Sequence, residues 1–174
     1  PNATDVDEVL EKVQNNDPSL KEINLNNIKT ISIERLVMFG EALRTNSNLE
    51  VFSMANTRAT DKVARAFTES IRENNTLKSL NMESNFITGE AICELLEAIN
   101  VNQKVTEFRI ANQRPQILGI KAEQRIQSLL QDNKTLLNLG VFLDTANARV
   151  KVQEYLQRNK DICRQERVGN QRGK

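Results

Sequence analysis

The chain has 174 residues, of which 39% are hydrophobic, and its 24 Lys/Arg nearly balance its 23 Asp/Glu, leaving a formal net charge of +1. This length suits one domain that folds around its own core. Histidine is absent, which excludes Ser-His-Asp and Cys-His catalysis and any His-ligated metal site within the chain.

The cysteines and glycines narrow the possible functions further. Cys93 and Cys163 are too few for a structural zinc site, and the glycines form neither a GxGxxG motif nor a P-loop. We therefore predict a protein that is not an enzyme and that uses no metal or cofactor. Two distant free thiols are typical of a reducing compartment, so we expect a cytoplasmic location.

The beginning of the chain and its apolar runs bear on targeting. The longest uninterrupted apolar runs are only a few residues, far shorter than a spanning helix requires, so we expect no membrane association. Pro1 stands where an initiator Met would be, which suggests a piece of a longer polypeptide.

The first predicted element is a helix from Thr4 to about Asn15. Thr4 and Asp7 have the spacing of a capping pair, and Asp17-Pro18 ends the helix. One apolar stripe at helical spacing would face the core; it consists of Val6, Val9, Leu10 and Val13. We predict that residues 1–16 form a helical cap at one end of the fold.

Five later segments share an apolar residue at a first position, three residues on and five residues on. The copies are Leu20-Ile23-Leu25, Leu49-Phe52-Met54, Leu77-Leu80-Met82, Val105-Phe108-Ile110 and Leu136-Leu139-Val141. Residues 77–87 fit the leucine-rich-repeat pattern LxxLxLxxNxI best. The copies begin 29, 28, 28 and 31 residues apart, a period that holds one strand and one helix.

Between the strands the apolar period becomes helical. Each connecting segment carries two apolar residues one turn apart, which would dock every helix in the same register; the pairs are Phe39 with Leu43, Phe67 with Ile71, Leu95 with Ile99, and Ile126 with Leu130. Residues 148–164 keep this phase through Val152 and Leu156, although no strand follows. We predict a terminal helix there, a repeat domain over 1–164, and a basic tail over 165–174.

These elements predict an α/β leucine-rich-repeat solenoid of about five strand-helix repeats. Its parallel sheet would line the concave side, with helices on the convex side and helical caps at both ends. A polar column should run along the concave face; it comprises Asn24, Ser53, Asn81, Arg109 and Gly140. An Asn or Asp lies three residues before the first apolar residue of each copy, namely Asp17, Asn46, Asn74, Asn102 and Asn133. We expect these residues to support left-handed helix-ending turns and to bond neighbouring backbone.

The loops that follow the strands supply the candidate binding residues. Asn27, Asn56 and Asn112 come directly after strands, where a turn-supporting role is the simplest interpretation. Loop arginines have no evident structural role, so Arg58 and Arg114 are the first interaction candidates. Residues 149–174 carry eight Lys/Arg against three Asp/Glu, a basic end that favours an acidic partner.

Residues 15–18, 22–28, 77–87 and 135–137 closely resemble the carboxy-terminal leucine-rich-repeat domain of tropomodulins. The resemblance implies a module that caps the pointed end of actin filaments through a tropomyosin-independent actin contact. Tropomyosin would bind only through segments absent from this chain. Leiomodins share the domain and nucleate filaments, but no further actin-monomer-binding extension is evident after Arg167, which favours tropomodulin.

With actin as an acidic partner, the sequence yields eight candidate actin-binding residues: Asn27, Asn56, Arg58, Asn112, Arg114, Arg149, Arg164 and Arg167. An alternative is a repeat protein that regulates an enzyme such as a GTPase or nuclease, because the 28-residue period also resembles ribonuclease-inhibitor and Ran GTPase-activating repeats. A nucleic-acid partner is disfavoured, since the basic end lacks aromatic residues for base stacking. We expect a monomer.

Overall fold

Five parallel strands and six helices alternate along the chain in a computed structural model that describes residues 1–114 and 117–173. The strands are β1 Glu22–Asn24, β2 Val51–Ser53, β3 Ser79–Asn81, β4 Glu107–Arg109 and β5 Asn138–Gly140. The helices are α1 Val6–Gln14, α2 Ile33–Ala42, α3 Asp61–Ile71, α4 Gly89–Asn102, α5 Ile120–Asp132 and α6 Ala146–Arg172.

The strands form one sheet in the order β1-β2-β3-β4-β5. Equivalent repeat positions pair throughout, so the polar column runs across the sheet as Asn24, Ser53, Asn81, Arg109 and Gly140. In β1 to β4 the middle residue is buried and its two neighbours are more exposed, whereas in β5 the middle residue, Leu139, is half-buried. The predicted leucine-rich-repeat fold, with a parallel sheet on one side and helices on the other, is confirmed.

The core lies between the sheet and the helix layer. Phe52 contacts Phe39 and Phe67 edge-on, with ring centroids 5.8 and 5.0 Å apart. The predicted docking residues of the helices are all buried; they are Phe39, Leu43, Phe67, Ile71, Leu95, Ile99, Ile126 and Leu130. Because each repeat buries the same two helix positions, the apolar period alone fixes the helix register.

The asparagines before the strands bond neighbouring backbone, as predicted, but Asn46, Asn74, Asn102 and Asn133 do not adopt the expected left-handed conformation. Asn74 is buried, and its amide donates to the carbonyls of Leu43 and Asn46 at 2.8 and 3.1 Å, while its oxygen accepts from the Leu77 N–H at 2.8 Å. The left-handed residues at helix ends are instead Asn16 and Gln103. A buried amide is needed here because it satisfies backbone groups of two repeats at once.

The first helix begins one residue later than the predicted capping pair implies. Asp5 is its N-cap and accepts a hydrogen bond from the Glu8 N–H at 3.1 Å, so the pairing of Thr4 with Asp7 is wrong. The Thr4 hydroxyl instead donates to the Asn24 carbonyl at 2.9 Å. This bond ties the cap to the end of β1.

The last helix differs most from the sequence prediction. It begins at Ala146 and continues to Arg172, through residues 165–172 of the segment predicted as a basic tail. Buried positions end at Asn159, and every residue from Arg164 to Gly173 is exposed. The last turns of α6 are therefore helical without burying any residue.

Candidate functional site

A row of left-handed residues follows the strands. Asn27, Asn56, Ser84 and Asn112 have φ values of 67°, 56°, 57° and 62°, a conformation that asparagine tolerates better than most residues. Asn56 also donates to the Asn27 side-chain oxygen, and Asn112 to the Ser84 hydroxyl, both at 3.0 Å. Three of the predicted site residues therefore shape the turns at this edge, whatever else they contact.

Arg58 also has a positive φ, of 63°, which is unfavourable for a residue with a long side chain. The flanking N–H groups of Thr57 and Ala59 both donate to the Asn85 side-chain oxygen at 3.0 Å. This clamp holds the backbone of Arg58 in the left-handed region while the side chain stays exposed. Backbone strain that the surroundings maintain is often associated with function.

The next repeat repeats this arrangement with a longer amide. The Gln113 amide donates to the carbonyls of Met82 and Ile110 at 2.9 and 3.0 Å, and its oxygen accepts from the Ile87 N–H at 3.0 Å. Its neighbour Arg114 is exposed and donates its backbone N–H to the Asn85 carbonyl at 2.8 Å. Asn85 thus holds the backbone at both predicted loop arginines, through its side-chain oxygen around Arg58 and through its carbonyl at Arg114.

An exposed phenylalanine lies between the segments of the two loop arginines. The Phe86 N–H donates to the Ala59 carbonyl at 2.9 Å, and its side chain is 46% exposed. Within the described residues, neither Arg58 nor Arg114 forms an ion pair with a carboxylate. Their guanidinium groups remain available to a partner.

Arg149 lies in the first turn of α6 and already has internal partners. Its guanidinium donates to the carbonyls of Leu143 and Asp144 at 2.9 and 3.0 Å. The side chain therefore fixes the connection between β5 and α6, at the same edge as the loop arginines.

Sequence reasoning missed Arg158, which joins α6 to α5. Its guanidinium donates to the carbonyls of Leu130 and Gln131 at 3.1 and 3.0 Å and lies 5.0 Å from the ring centroid of Tyr155. A cation at the carboxyl end of α5 is favourable because the last carbonyls of a helix lack internal donors. In the sequence, Arg158 precedes Asn159, which occupies the same repeat position as the asparagines that precede the strands. This position is the feature from which Arg158 could have been predicted.

Arg164 and Arg167 lie at the opposite edge. They line a shallow surface depression with Leu137, which precedes β5, whereas the other six predicted residues follow strands. Arg164 pairs with Asp161 one turn earlier on α6, and Arg167 is exposed. At 1.5 Å per residue, Arg149 and Arg164 are about 22 Å apart along α6. The structure therefore divides the predicted site between two edges.

An apolar groove at the post-strand edge was not predicted. Its floor contains the buried Ile87, Ile92 and Ile110, and its rim includes Ile117 and Phe142, which are 80% and 74% exposed. Its volume is about 460 Å³. The groove could have been suspected from Phe142. The same repeat position holds only small or polar residues in the earlier copies, namely Asn26, Ala55, Glu83 and Ala111.

Other classes of site receive no support from the described part of the chain. Within it, no group of three or more Asp, Glu or Cys side chains is arranged to hold a metal ion. No helix there combines the length and apolar character that a membrane span needs. Burial raises the pKa of the Cys93 thiol, which disfavours the reactive thiolate.

Comparisons with known proteins agree with the architecture. A family model described as the TMOD/LMOD leucine-rich domain matches residues 2–162. Leiomodin-2 of Gallus gallus is 43% identical over 171 residues, which cover 98% of this chain and 31% of the relative. Leiomodin-1 of Mus musculus is 46% identical over 166 residues, with 95% and 28% covered.

Two solved structures are similar across nearly the whole chain. One is described as Leiomodin-1 Actin-Binding Site 2; its TM-score is 0.93 at 44% identity, and 99% of both chains is covered. The other is the tropomodulin C-terminal domain of Caenorhabditis elegans, with a TM-score of 0.91 at 37% identity and coverage of 95% of this chain and 99% of that one.

The comparisons do not support the sequence-based preference for tropomodulin, because both proteins are represented and the names of the curated relatives favour leiomodin. The chain spans about three tenths of the length of those relatives. It is a non-enzymatic module, as predicted, since the relatives are leiomodins and a tropomodulin rather than enzymes. The chain belongs to the tropomodulin/leiomodin family of leucine-rich-repeat domains.

Proposed function

We propose that the chain is an actin-binding module that caps the pointed end of actin filaments through a contact independent of tropomyosin. The similarity that carries this proposal is to the solved structure described as Leiomodin-1 Actin-Binding Site 2, which covers 99% of both chains. As a cytoskeletal protein it would act in the cytoplasm, as a monomer, with actin as its partner. Membranes and nucleic acids would not be partners.

The binding surface would consist of the post-strand edge and the exposed end of α6. Arg58 and Arg114 supply positive charge at the edge, and Arg164 and Arg167 supply it on the helix. Asn27, Asn56 and Asn112 set the shape of the loops, and Arg149 holds α6 against them. A partner that contacts both edges would be held by a broad, rigid face.

Mechanically, a rigid slab that lies across terminal actin subunits obstructs both addition and loss of monomers. Exposed ion pairs contribute at most about 1 kcal/mol each, so this domain alone should bind weakly. Tight capping would need coupling to other actin-binding segments through a raised effective concentration.

The test is elongation of pyrene-labelled actin from filaments whose barbed ends are blocked. The domain should slow pointed-end growth at concentrations on the order of tens of micromolar, where weak complexes become populated. No slowing would overturn pointed-end capping. A second assay without filament seeds would reveal promotion of filament assembly, the activity that the resemblance to leiomodins implies.

A further inference from the structure

The apolar groove combines a buried floor with two strongly exposed rim side chains. Ile87, Ile92 and Ile110 are at most 2% exposed, whereas Ile117 and Phe142 are 80% and 74% exposed. Full burial of a side chain of this size contributes about 2 kcal/mol. The rim therefore exposes apolar surface that a partner could bury with a large gain.

Close packing of the repeats gives the groove its shape. A Cβ atom at Gly89 would lie 2.9 Å from the Ala122 Cβ and 3.3 Å from the Leu118 carbonyl oxygen. Glycine therefore lets the segment that carries Ile117 approach the start of α4. The floor of the groove is therefore part of the packed structure.

The polar chemistry of the groove favours a protein segment over a small polar ligand. The Gln113 amide, the main polar group near the floor, already bonds to Met82, Ile110 and Ile87. Small-molecule sites usually present a few convergent polar groups that fix the ligand's orientation. Here the amide is satisfied internally, so the groove offers mainly apolar contact.

The charges at its border indicate the chemistry of the occupant. Arg114 directly follows the groove residue Gln113 and is exposed. Arg58 lies on the same edge without an ion-pair partner among the described residues. Asp144 is the only carboxylate that lines the groove within the described residues. An apolar segment bordered by acidic residues would match this surface.

We propose that the groove is an anchoring site for actin and accepts an apolar side chain of actin flanked by carboxylates. This inference rests on the proposed actin-binding function and adds a location and a binding mode to it. The apolar side chain fills the space between Ile117 and Phe142, and the carboxylates face Arg114 and Arg58. Apolar anchors that become fully buried typically dominate binding affinity, with the charged rim contributing less.

The test measures the affinity of single variants for actin filaments by cosedimentation. Phe142→Ser and Ile117→Ser should each weaken binding about tenfold, which is typical of an anchor residue. Val101→Ser is the matched control: Val101 is 62% exposed near the end of α4, away from the groove, and its loss should change affinity less than twofold. Thermal melting of each variant checks that the fold is retained.

A charge comparison tests the acidic border. Ile117→Glu should weaken binding more than Ile117→Lys, because only the glutamate would repel the carboxylates; equal losses would overturn the acidic flank. If the unaltered domain binds actin and Phe142→Ser and Ile117→Ser both bind as well as Val101→Ser, the groove proposal fails while actin binding stands. If the unaltered domain does not bind actin, both proposals fail.

Discussion

Asn85 shows how one side chain sets the shape of the candidate binding edge. It forms six hydrogen bonds, with the backbone of Thr57, Ala59, Met54, Met82 and Glu83 and with the Thr57 hydroxyl. Only 1% of the residue is exposed, so water cannot replace these partners. The amide therefore joins two repeats and positions the loop that carries Arg58.

Asn85→Ala should destabilise the domain by about 3 kcal/mol, because several buried backbone groups would lose their partners. Denaturation with urea, followed by circular dichroism, measures this change. Asn138→Ala is the control: Asn138 is exposed on the concave face, and its loss should change the free energy of unfolding by no more than about 0.5 kcal/mol. Equal effects of the two substitutions would contradict the clamp.

Backbone strain at Arg58 can be tested because the difference in stability between a glycine and an alanine variant should have opposite signs there and in a helix. In the left-handed region an alanine costs roughly 1 kcal/mol more than a glycine, so Arg58→Gly should be more stable than Arg58→Ala. At Gln124, which is exposed within α5, the order should be opposite, since alanine in a helix is favoured over glycine by about 1 kcal/mol. Midpoints of urea denaturation compare the four variants, and the same order at both positions would contradict the strain.

The strands and inner helix faces were predictable from sequence because each repeat buries the same apolar positions. Leu80 and its equivalents fit only between sheet and helix layer, so spacing alone identified the β3 register and its neighbours. The end of α6 was not predictable in this way. No residue beyond Asn159 is buried in α6, and helical turns without buried residues leave no apolar period in the sequence.

This difference within α6 predicts two levels of local stability. The turns that contain Val152, Leu156 and Asn159 are anchored in the core, whereas the exposed turns around Arg167 have only local helical bonds to keep them folded. Amide hydrogen exchange, measured by mass spectrometry on peptides of α6, should be slow over 150–160 and fast over 165–172. Equal protection of both segments in the free domain would contradict this expectation.

At the scale of the whole molecule, sequence reasoning found the charged loops but missed the groove. Arg58 and Arg114 follow strands at a fixed interval, so the repeat pattern places them on one edge. The groove combines Ile87, Ile117 and Phe142 from successive repeats, and Ile117 belongs to the one repeat with a 31-residue spacing. Its position follows from three-dimensional packing, which the apolar period does not encode.

The two edges also predict how charge reversals combine. Arg58→Glu with Arg114→Glu changes the post-strand edge, and Arg164→Glu with Arg167→Glu changes the end of α6. Each pair should weaken binding to actin filaments roughly tenfold, because each removes two exposed contacts worth up to about 1 kcal/mol and adds repulsion. The losses in binding free energy should add in the fourfold variant, since sites far apart without shared partners act independently.

Cosedimentation at two salt concentrations measures these effects, which should shrink at the higher one because salt screens exposed charges. Lys62→Glu with Arg65→Glu is the control, because it makes the same change in net charge on helix α3. If that pair weakens binding equally, net charge rather than location explains the losses. If neither arginine pair alters binding while the fold is retained, actin contacts another surface. If the loss of binding free energy in the variant with all four substitutions differs strongly from the sum of the two pairs, the two edges form one coupled contact.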